Sequence, residues 1–212
     1  RGEATESIED YIEVVEKAKK LGLPVKLGIE LDYIPEYEEV IRKFAKSYPF
    51  DYVLGSVHWL KDFGFDHPAL IHEWDEKNVD EIYDKYFDTL QLAVKSGIFD
   101  AIAHPDVIKV FGYKARKDMS QRYDELAKVI REMDICVEVS TAGLRKPVRE
   151  LYPSSQMMEY FKKYNVPIMI NSDAHVPEDV GRDFDKALKF IKGFGYDKIC
   201  YFDKRVRKSI NI

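Results

Sequence analysis

The sequence contains only two cysteines in 212 residues and no long uninterrupted apolar run. Because a membrane-spanning helix needs roughly 18 or more consecutive apolar residues, the sequence does not predict a transmembrane protein. Cys136 and Cys200 each lie in an apolar stretch and lack the close spacing of metal-binding cysteines, so we predict that both are buried core thiols. So little cysteine is typical of the cytoplasm, which is the predicted compartment.

The motifs of several enzyme classes are also missing. No glycine-rich phosphate-binding loop, dinucleotide fingerprint or G-x-S-x-G nucleophile elbow occurs. Ser56 stands two residues before His58, but it would lie lower on the same strand and is a weak candidate for a nucleophile. The formal charge of -5 and the lack of basic runs argue against a nucleic-acid partner.

The overall composition of the chain is that of one globular domain. The chain is 45% hydrophobic and 33% charged, which is ordinary for a folded domain of this length. No linker or low-complexity segment interrupts the chain, so we predict a single domain over residues 1–212.

Short apolar segments rich in β-branched residues alternate with amphipathic segments. The apolar segments, predicted as strands, cover residues 25–33, 51–59, 100–106, 135–141, 166–173 and 198–202. The amphipathic segments, predicted as helices, cover residues 7–22, 35–48, 78–97, 120–133, 154–165 and 181–195. Strands that are continuously apolar are buried on both faces, which favours a parallel sheet covered by helices. Residues 60–78 are predicted to form a long irregular loop.

Ionisable side chains recur where the predicted strands end, which is where the active sites of parallel α/β proteins lie. They are Glu30 with Asp32, His58, His104 with Asp106, Glu138, and Asp173 with His175. A single histidine in such a place is more often a core residue, but here three of the five histidines occupy it. Histidine and carboxylate together are typical ligands of divalent metals, so the pattern predicts a metal site.

Two architectures are compatible with six strands that follow a helix. An open parallel sheet gathers its ligands at one switch point, whereas a βα barrel gathers them from many strands around one mouth. The spread of candidate ligands over successive strands favours the barrel, although a closed barrel ordinarily begins with a strand and has seven or eight strands.

Six segments, in order along the chain, resemble the PHP superfamily of metal-dependent phosphoesterases, named for polymerase and histidinol phosphatase. They are GIELDY (28–33), YVLGSVHWL (52–60), AHPD (103–106), EVSTAGLRKP (138–147), ELYPS (150–154) and NSDAH (171–175). GFDHP (64–68) and KVFGY (109–113) resemble more narrowly the monofunctional histidinol-phosphate phosphatase branch. The resemblance covers nearly the whole chain.

The resemblance implies a distorted (βα)7 TIM-like barrel with two or three divalent ions, which would be zinc, iron or manganese. Glu30 is expected to bridge two ions, and His58 and His104 are expected to complete one of those sites. Asp173 is expected to bind the ion on the other side of Glu30, and His175 the third ion. These five residues are therefore the predicted catalytic and metal-binding set.

One feature of the family does not occur in the sequence. The family also uses a His-x-His pair on its first strand, yet no such pair is found here and no histidine precedes His58. The first residue is Arg1, and the first predicted element is a helix. We therefore expect the sequence to lack the first βα unit or units of the barrel, about 40–60 residues at roughly 30 residues per unit.

For the reaction, the resemblance implies attack of a metal-bound hydroxide on the phosphorus of L-histidinol phosphate. This would release L-histidinol and phosphate in histidine biosynthesis. Two other interpretations stay open: a phosphoesterase of the same fold that acts on another small phosphate, and a non-catalytic domain that binds metal or a partner. The acidic charge favours a small-molecule substrate over a nucleic acid.

Five further residues are candidates for substrate contacts. Arg145 is the first candidate for the phosphate, since a guanidinium binds phosphate through two parallel hydrogen bonds, and Arg182 is the second. Glu138 and Glu150 are candidates for the cationic amine and imidazole of histidinol. His67 lies on the loop near the expected mouth of the barrel.

Two kinds of supporting residue are also expected around the site. Asp32 and Asp106 are candidates to orient the metal ligands. Phe63 and Phe65 could contact the cationic substrate, or they could serve only to pack the long loop.

Overall fold

A parallel sheet at the centre of the structure positions the predicted site residues. The computed structural model describes residues 7–212, and the elements below lie in that range. The strands are β1 (Gly28–Asp32), β2 (Tyr52–Ser56), β3 (Trp59–Leu60), β4 (Phe63–Gly64), β5 (Ala101–Ile102), β6 (Cys136–Ser140), β7 (Ile168–Asn171), β8 (Lys198–Asp203) and β9 (Val206–Asn211). The helices are α1 (Ile8–Lys20), α2 (Glu38–Ser47), α3 (Val79–Lys95), α4 (Ser120–Glu132), α5 (Ser155–Lys163) and α6 (Phe184–Gly193).

Five strands form one sheet in the order β1-β2-β5-β6-β7, and every neighbouring pair is parallel. This confirms the predicted α/β class with a parallel sheet. Because the order of the strands follows the chain, the carboxyl ends of all five strands meet at one edge of the sheet. The closed seven-stranded barrel stays a prediction.

The last predicted strand does not join this sheet. β8 instead pairs antiparallel with β9 along its whole length, so the two strands form a separate hairpin. The two residues of its turn, Lys204 and Arg205, have φ values of 50° and 64°, which is the backbone of a tight type I′ turn. Asparagine or glycine ordinarily marks such a turn, and neither stands here, so the sequence pattern missed β9.

Polar caps fix the starts of three predicted helices. The Ser7 hydroxyl accepts a hydrogen bond from the Asp10 N–H at 3.1 Å, and the Asp10 carboxylate accepts one from the Ser7 N–H in return. The side chain of Asn78 accepts from the Asp80 N–H at 3.1 Å, and Ser154 caps α5 in the same way. Within residues 7–212, no helix is both long enough and apolar enough to cross a bilayer.

The segment predicted as an irregular loop is more ordered than expected. β3 and β4 form a short antiparallel hairpin, and a 3-10 helix follows at Pro68–Glu76. Trp74 is buried, donates its indole N–H to the Phe65 carbonyl at 3.0 Å and stacks on Tyr113 with 4.8 Å between ring centroids. Trp74 and Phe65 therefore pack this segment, and two-residue strands are too short for a periodic pattern to predict.

The two faces of the sheet carry different apolar clusters. Helix-facing side chains such as Val53 and Ile102 belong to the large core beneath the helices. The opposite face carries a smaller group, here called the inner cluster, made of Leu54, Ala101, Ala103, Cys136, Met169 and Phe202. Burial on both faces explains why the central strands read as continuous apolar runs.

The inner face turns polar toward the carboxyl ends of its strands. Glu30 is in register with Leu54 of the inner cluster, so the two side chains share a face. Glu138 stands two residues after Cys136, and side chains two apart on a strand also share a face. The sheet therefore directs both glutamates to the side that carries the apolar cluster.

The two cysteines differ in exposure. Cys136 on β6 is fully buried, as predicted, but Cys200 on β8 is partly exposed. The prediction for Cys200 was wrong because β8 lies in the hairpin, where only one face is covered.

The carboxylate of Asp51 ties the hairpin to the sheet. It is buried and accepts hydrogen bonds from the Leu27 N–H at 2.8 Å, the Lys204 N–H at 3.1 Å and the Lys19 ammonium at 3.1 Å. Burial raises the pKa of Asp51, but these hydrogen bonds and the Lys19 charge outweigh it and hold the pKa below its ordinary value. One side chain thus joins the end of α1, the start of β1 and the turn of the hairpin.

We predict that Asp51→Asn lowers the free energy of unfolding by about 1–3 kcal/mol at neutral pH, since an amide cannot satisfy the same donors. The folded-state pKa is depressed, so the stabilisation is complete above the unfolded-state pKa of about 3.9 and is lost as pH falls through the folded-state pKa. Urea unfolding at neutral and acidic pH measures both effects, and the difference from wild type should shrink in acid.

The matched control is Asp62→Asn, in the exposed turn between β3 and β4. It should change the free energy of unfolding by less than about 0.5 kcal/mol. A D51N protein as stable as wild type at neutral pH would contradict the role given to Asp51.

Candidate metal centre and surrounding cleft

A cleft of about 420 Å³ opens at the carboxyl end of the parallel sheet. Its wall includes all five predicted metal-binding side chains: Glu30, His58, His104, Asp173 and His175. A larger cleft of about 560 Å³ lies between the β3–β4 hairpin and α3, but no histidine lines it. The chemistry therefore points to the smaller cleft.

Glu30, His58 and His104 converge on the floor of the cleft. Each offers one ligand atom, and these three atoms all lie within 4.8 Å of one another. The Glu30 carboxylate is 3.2 Å from Nε2 of His104 and 3.8 Å from Nε2 of His58. The three side chains come from the ends of β1, β2 and β5, which are neighbours in the sheet.

Further side chains hold the two histidines in place. The Asp32 carboxylate contacts Nδ1 of His58, on the ring edge away from Glu30. The buried Glu138 carboxylate accepts a hydrogen bond from the His104 backbone N–H at 2.8 Å. Asn171 donates to Glu138 at 2.6 Å. A carboxylate behind a ligating imidazole fixes the ring orientation and its tautomer, which is the arrangement of Asp32 and His58.

The backbone is also unusual at two of the predicted ligands. His104 has a φ of 23° and Asp173 a φ of 47°, although side chains with a Cβ rarely adopt positive φ. Each residue stands two positions after the end of a strand of the parallel sheet. Such conformations are disfavoured and occur preferentially at functional sites.

Carboxylates dominate the electrostatics of the cleft floor. Burial raises the pKa of Glu30, but His104 and His58 outweigh it and lower that pKa to about 2. Burial lowers the pKa of His104, but Glu30, Glu138 and Asp173 outweigh it and raise that pKa to about 10. Burial raises the pKa of Glu138 to about 7. In the metal-free protein, a protonated His104 thus balances part of the negative charge.

The cluster fits a divalent cation. Ligand atoms bound at about 2.1 Å to one tetrahedral ion lie about 3.4 Å apart, and the two spacings from the Glu30 carboxylate are 3.2 and 3.8 Å. Within residues 7–212, Nδ1 of His104 is buried and has no hydrogen-bond partner. The atom that faces Glu30 is Nε2, so the fit rests on the spacing and on the donor set, and a mixed imidazole and carboxylate set suits zinc, iron or manganese.

The other two predicted ligands lie on the same cleft wall but outside this three-residue group. Asp173 follows β7, and its charge contributes to the raised pKa of His104. The His175 side chain is 80% exposed, with Nδ1 3.1 Å from the Asp173 carbonyl oxygen. Metal binding by Asp173 and His175 stays a prediction.

The two predicted phosphate-binding arginines lie outside the lining of the cleft. The Arg145 guanidinium donates to the Ser172 carbonyl at 2.5 Å and pairs with Asp179 at 3.2 Å. Arg182 is exposed and donates to Asp179 at 2.8 Å. In this arrangement both arginines secure the segment after β7, and their contact with substrate stays a prediction.

The other predicted substrate contacts are also outside the cleft lining. Glu138 lies beneath the floor, behind His104. Glu150 pairs with Lys109 at 3.2 Å and lines a separate cavity together with Asp106. His67 accepts a hydrogen bond from the Ala69 N–H at 3.2 Å, at the start of the 3-10 helix. Sequence order placed these residues near the mouth, but their side chains turn to local partners.

Three residues that the sequence did not single out do line the cleft. Asp66 places a carboxylate oxygen 3.9 Å from Nε2 of His58, Lys146 supplies a cation, and Tyr152 supplies a hydroxyl. Tyr152 is 1% exposed, and its hydroxyl has no hydrogen-bond partner within residues 7–212. All three stand inside the segments that carried the resemblance, so those segments held a signal that spacing alone did not resolve.

Comparison with known proteins identifies the family of the chain. The model of the PHP domain matches residues 4–142, and that of a PHP-associated region matches residues 155–183. A probable histidinol-phosphatase of Deinococcus radiodurans is 32% identical over 206 residues, which are 95% of this chain and 78% of that protein. A histidinol-phosphatase of Bacillus subtilis is 26% identical over 210 residues, 88% of this chain and 77% of that protein.

A solved structure shares the fold. The crystal structure of histidinol phosphate phosphatase from Lactococcus lactis, complexed with zinc, L-histidinol and phosphate, has a TM-score of 0.78. The two sequences are 19% identical, and the match covers 94% of this chain and 78% of that one. Together with the match over residues 4–142, these relatives show that the chain belongs to the PHP domain family.

Proposed function

We propose that this chain hydrolyses L-histidinol phosphate to L-histidinol and phosphate with the help of divalent metal ions. The observation that carries the proposal is the convergence of Glu30, His58 and His104 on the floor of an open cleft. The histidinol-phosphatases among its relatives support this substrate. The structural neighbour, whose complex contains zinc, L-histidinol and phosphate, supports a metal-dependent reaction.

Glu30, His58 and His104 would hold one ion, and Asp173 and His175 would contribute to one or two more. Zinc, iron and manganese all suit this ligand set. Divalent ions here would lower the pKa of bound water and neutralise the charge of the reacting phosphate. The protein supplies the orientation: Asp32 fixes the His58 ring, and Glu138 fixes the backbone at His104.

The phosphate of the substrate needs hydrogen-bond donors in a cleft rich in carboxylates. Of the side chains that line the cleft, Lys146 brings a positive charge and Tyr152 a buried hydroxyl that lacks a partner within residues 7–212. Burial, Asp106 and Asp173 raise the pKa of Tyr152 well above neutral pH, so the hydroxyl keeps its proton and donates. We assign these two groups to the phosphate, and Asp66 to the ammonium group of histidinol.

The wider architecture is part of the same proposal. A single domain over residues 1–212, built as a (βα)7-type barrel, accounts for the shared inner face and the common edge of the parallel strands. A cytoplasmic location stays a prediction. Two alternatives are another small phosphate as the substrate and a non-catalytic metal-binding role. The following experiment distinguishes both from the proposal.

We predict that the chain loaded with zinc or manganese releases phosphate from L-histidinol phosphate. Phosphoserine, glycerol phosphate and a nucleoside monophosphate should be poorer substrates by kcat/KM. Glu30→Gln removes the charge of a proposed metal ligand, so kcat/KM should fall by more than about 100-fold. This loss exceeds the one typical of substitutions at residues that only orient a ligand.

The matched control for this change is His72→Ala, an exposed histidine on the 3-10 helix that does not line the cleft. It should retain wild-type kcat/KM. Metal-loaded wild-type protein without activity on any of these esters would exclude hydrolysis, and a preference for another ester would transfer the proposal to that substrate.

We predict that metal binding releases a proton and strengthens as pH rises. The raised pKa of His104, about 10, keeps this side chain protonated at neutral pH in the metal-free protein. A ligating imidazole must lose that proton, so the ion that binds at this site should release about one proton, and its apparent affinity should rise by up to about tenfold per pH unit. Zinc calorimetry in two buffers of different ionisation enthalpy measures the release.

The variant His104→Ala should show weaker binding and a smaller proton release. Wild-type affinity that does not change between mildly acidic and mildly basic pH would argue against His104 as a ligand.

We predict separate contributions of Lys146 and Tyr152 to phosphate binding. Lys146→Ala should weaken inorganic phosphate as an inhibitor by roughly 10-fold or more, the effect of a lost charged hydrogen bond, and Tyr152→Phe by roughly 3–10-fold. Metal content should not change in either variant. Lys189→Ala, an exposed lysine on α6, is the control. Equal phosphate inhibition in all four proteins would remove both residues from the site.

A further inference from the structure

Both cysteines pack in the inner cluster of the sheet, and neither lines the cleft of the candidate metal centre. Cys136 on β6 belongs to the inner cluster, and Cys200 on β8 packs against that cluster. Phe202 follows Cys200 by two residues and enters the same cluster, so this face of the hairpin covers the sheet. Both thiols therefore belong to one apolar packing group, and each shifts the pKa of the other.

The two thiols differ in accessibility. Cys136 is fully buried, whereas Cys200 is partly exposed and lines a cleft of about 510 Å³. A small solute in this cleft can reach Cys200 and cannot reach Cys136. The pair therefore consists of one accessible thiol backed by one shielded thiol.

The surroundings of the accessible thiol favour its reactive form. Arg207 and Lys198 line the cleft beside Cys200, and Asp134 opposes them in part. The contact with Cys136 and these two cations lower the pKa of Cys200 to about 7, despite burial. Burial raises the pKa of Cys136 well above its ordinary value. A thiolate is the nucleophilic form of cysteine, and nearby cations are typical of reactive cysteines.

We propose that Cys200 is a site of oxidation by hydroperoxides and that Cys136 resolves the product to an intramolecular disulfide. The Cys200 thiolate attacks one peroxide oxygen, the O–O bond breaks, and the departing alkoxide takes a proton to give an alcohol. Cys200 is then a sulfenic acid. The Cys136 sulfur next attacks the Cys200 sulfur, the S–S bond forms, and the S–O bond breaks.

The hydroxide lost in the second step leaves as water with the proton of Cys136. In sum, two thiols lose two electrons, and one hydroperoxide is reduced to an alcohol and water; with hydrogen peroxide both products are water. A disulfide between these residues joins β6 of the parallel sheet to the C-terminal hairpin, and a thiol reductant reverses it.

The test uses the full chain loaded with zinc, which has no redox chemistry of its own. The protein is treated with a small excess of hydrogen peroxide at neutral pH, alkylated, and measured by intact and peptide mass spectrometry. We expect the wild type to lose two hydrogens, to resist alkylation at both cysteines, to stay monomeric in non-reducing electrophoresis, and to recover both thiols with dithiothreitol.

Single variants separate the roles of the two cysteines. In Cys136→Ala, Cys200 should stop at a sulfenic acid that dimedone traps, and in Cys200→Ser, Cys136 should stay reduced. Circular dichroism verifies that each variant is folded, and Cys136→Ser replaces the alanine variant if it is not. The same treatment in urea should oxidise Cys200 several-fold more slowly, since its neighbours are then removed.

Wild-type protein that keeps two alkylatable thiols after peroxide would overturn the proposal, and so would disulfides found only between two chains. These outcomes are independent of phosphate release, because neither thiol belongs to the cleft that holds the candidate ligands.

Discussion

The main physical constraint on this protein is the gathering of carboxylates around His104, which contacts Glu30. Glu30, Glu138 and Asp173 all act on a histidine that is almost completely buried. Carboxylates gathered in a poorly solvated place are costly unless a positive charge joins them. In the metal-free protein a protonated imidazole fulfils this need. A divalent cation would fulfil it better, because it binds the carboxylate and the neutral imidazole at once.

The parallel sheet creates this constraint. Neighbouring strands that run in one direction bring their carboxyl ends to a single edge, so residues distant in sequence meet there. Apolar side chains fill the lower part of the inner face, and polar side chains follow one or two positions later on the same strands. The backbone conformations of His104 and Asp173, with φ of 23° and 47°, turn the chain at that edge. The surrounding packing must therefore stabilise a disfavoured conformation that would cost about 1–3 kcal/mol at each residue.

The C-terminal hairpin covers the inner cluster on the same face of the sheet. Phe202 enters the inner cluster, and its ring stacks on Tyr52 with 6.2 Å between centroids. The buried carboxylate of Asp51 anchors the turn of the hairpin to the sheet. The hairpin thus covers apolar side chains that the helices on the other face do not reach, and it brings Cys200 against Cys136.

Much of the candidate centre could be predicted from the sequence, because it depends on local rules. Apolar runs locate buried strands, and ligands that end such runs must share an edge once the sheet is parallel. That rule places Glu30, His58 and His104 at the edge together with other strand-end residues, and the family resemblance singled out these three as one site. The contacts of Arg145 and Glu150 do not follow from it, since a long side chain can turn away from the nearby mouth toward carbonyl groups or lysines that only the folded chain brings close.

The sequence by itself determined the α/β class, the five parallel strands and the capped starts of three helices, because hydrophobic periodicity and capping act over a few residues. Only the tertiary structure decided that β8 leaves the sheet for a hairpin, and that Asp66, Lys146 and Tyr152 line the cleft. It also decided that Cys136 is shielded and that Cys200 is accessible. These features depend on contacts between residues far apart in the chain, and no local pattern specifies which of many possible partners a side chain meets.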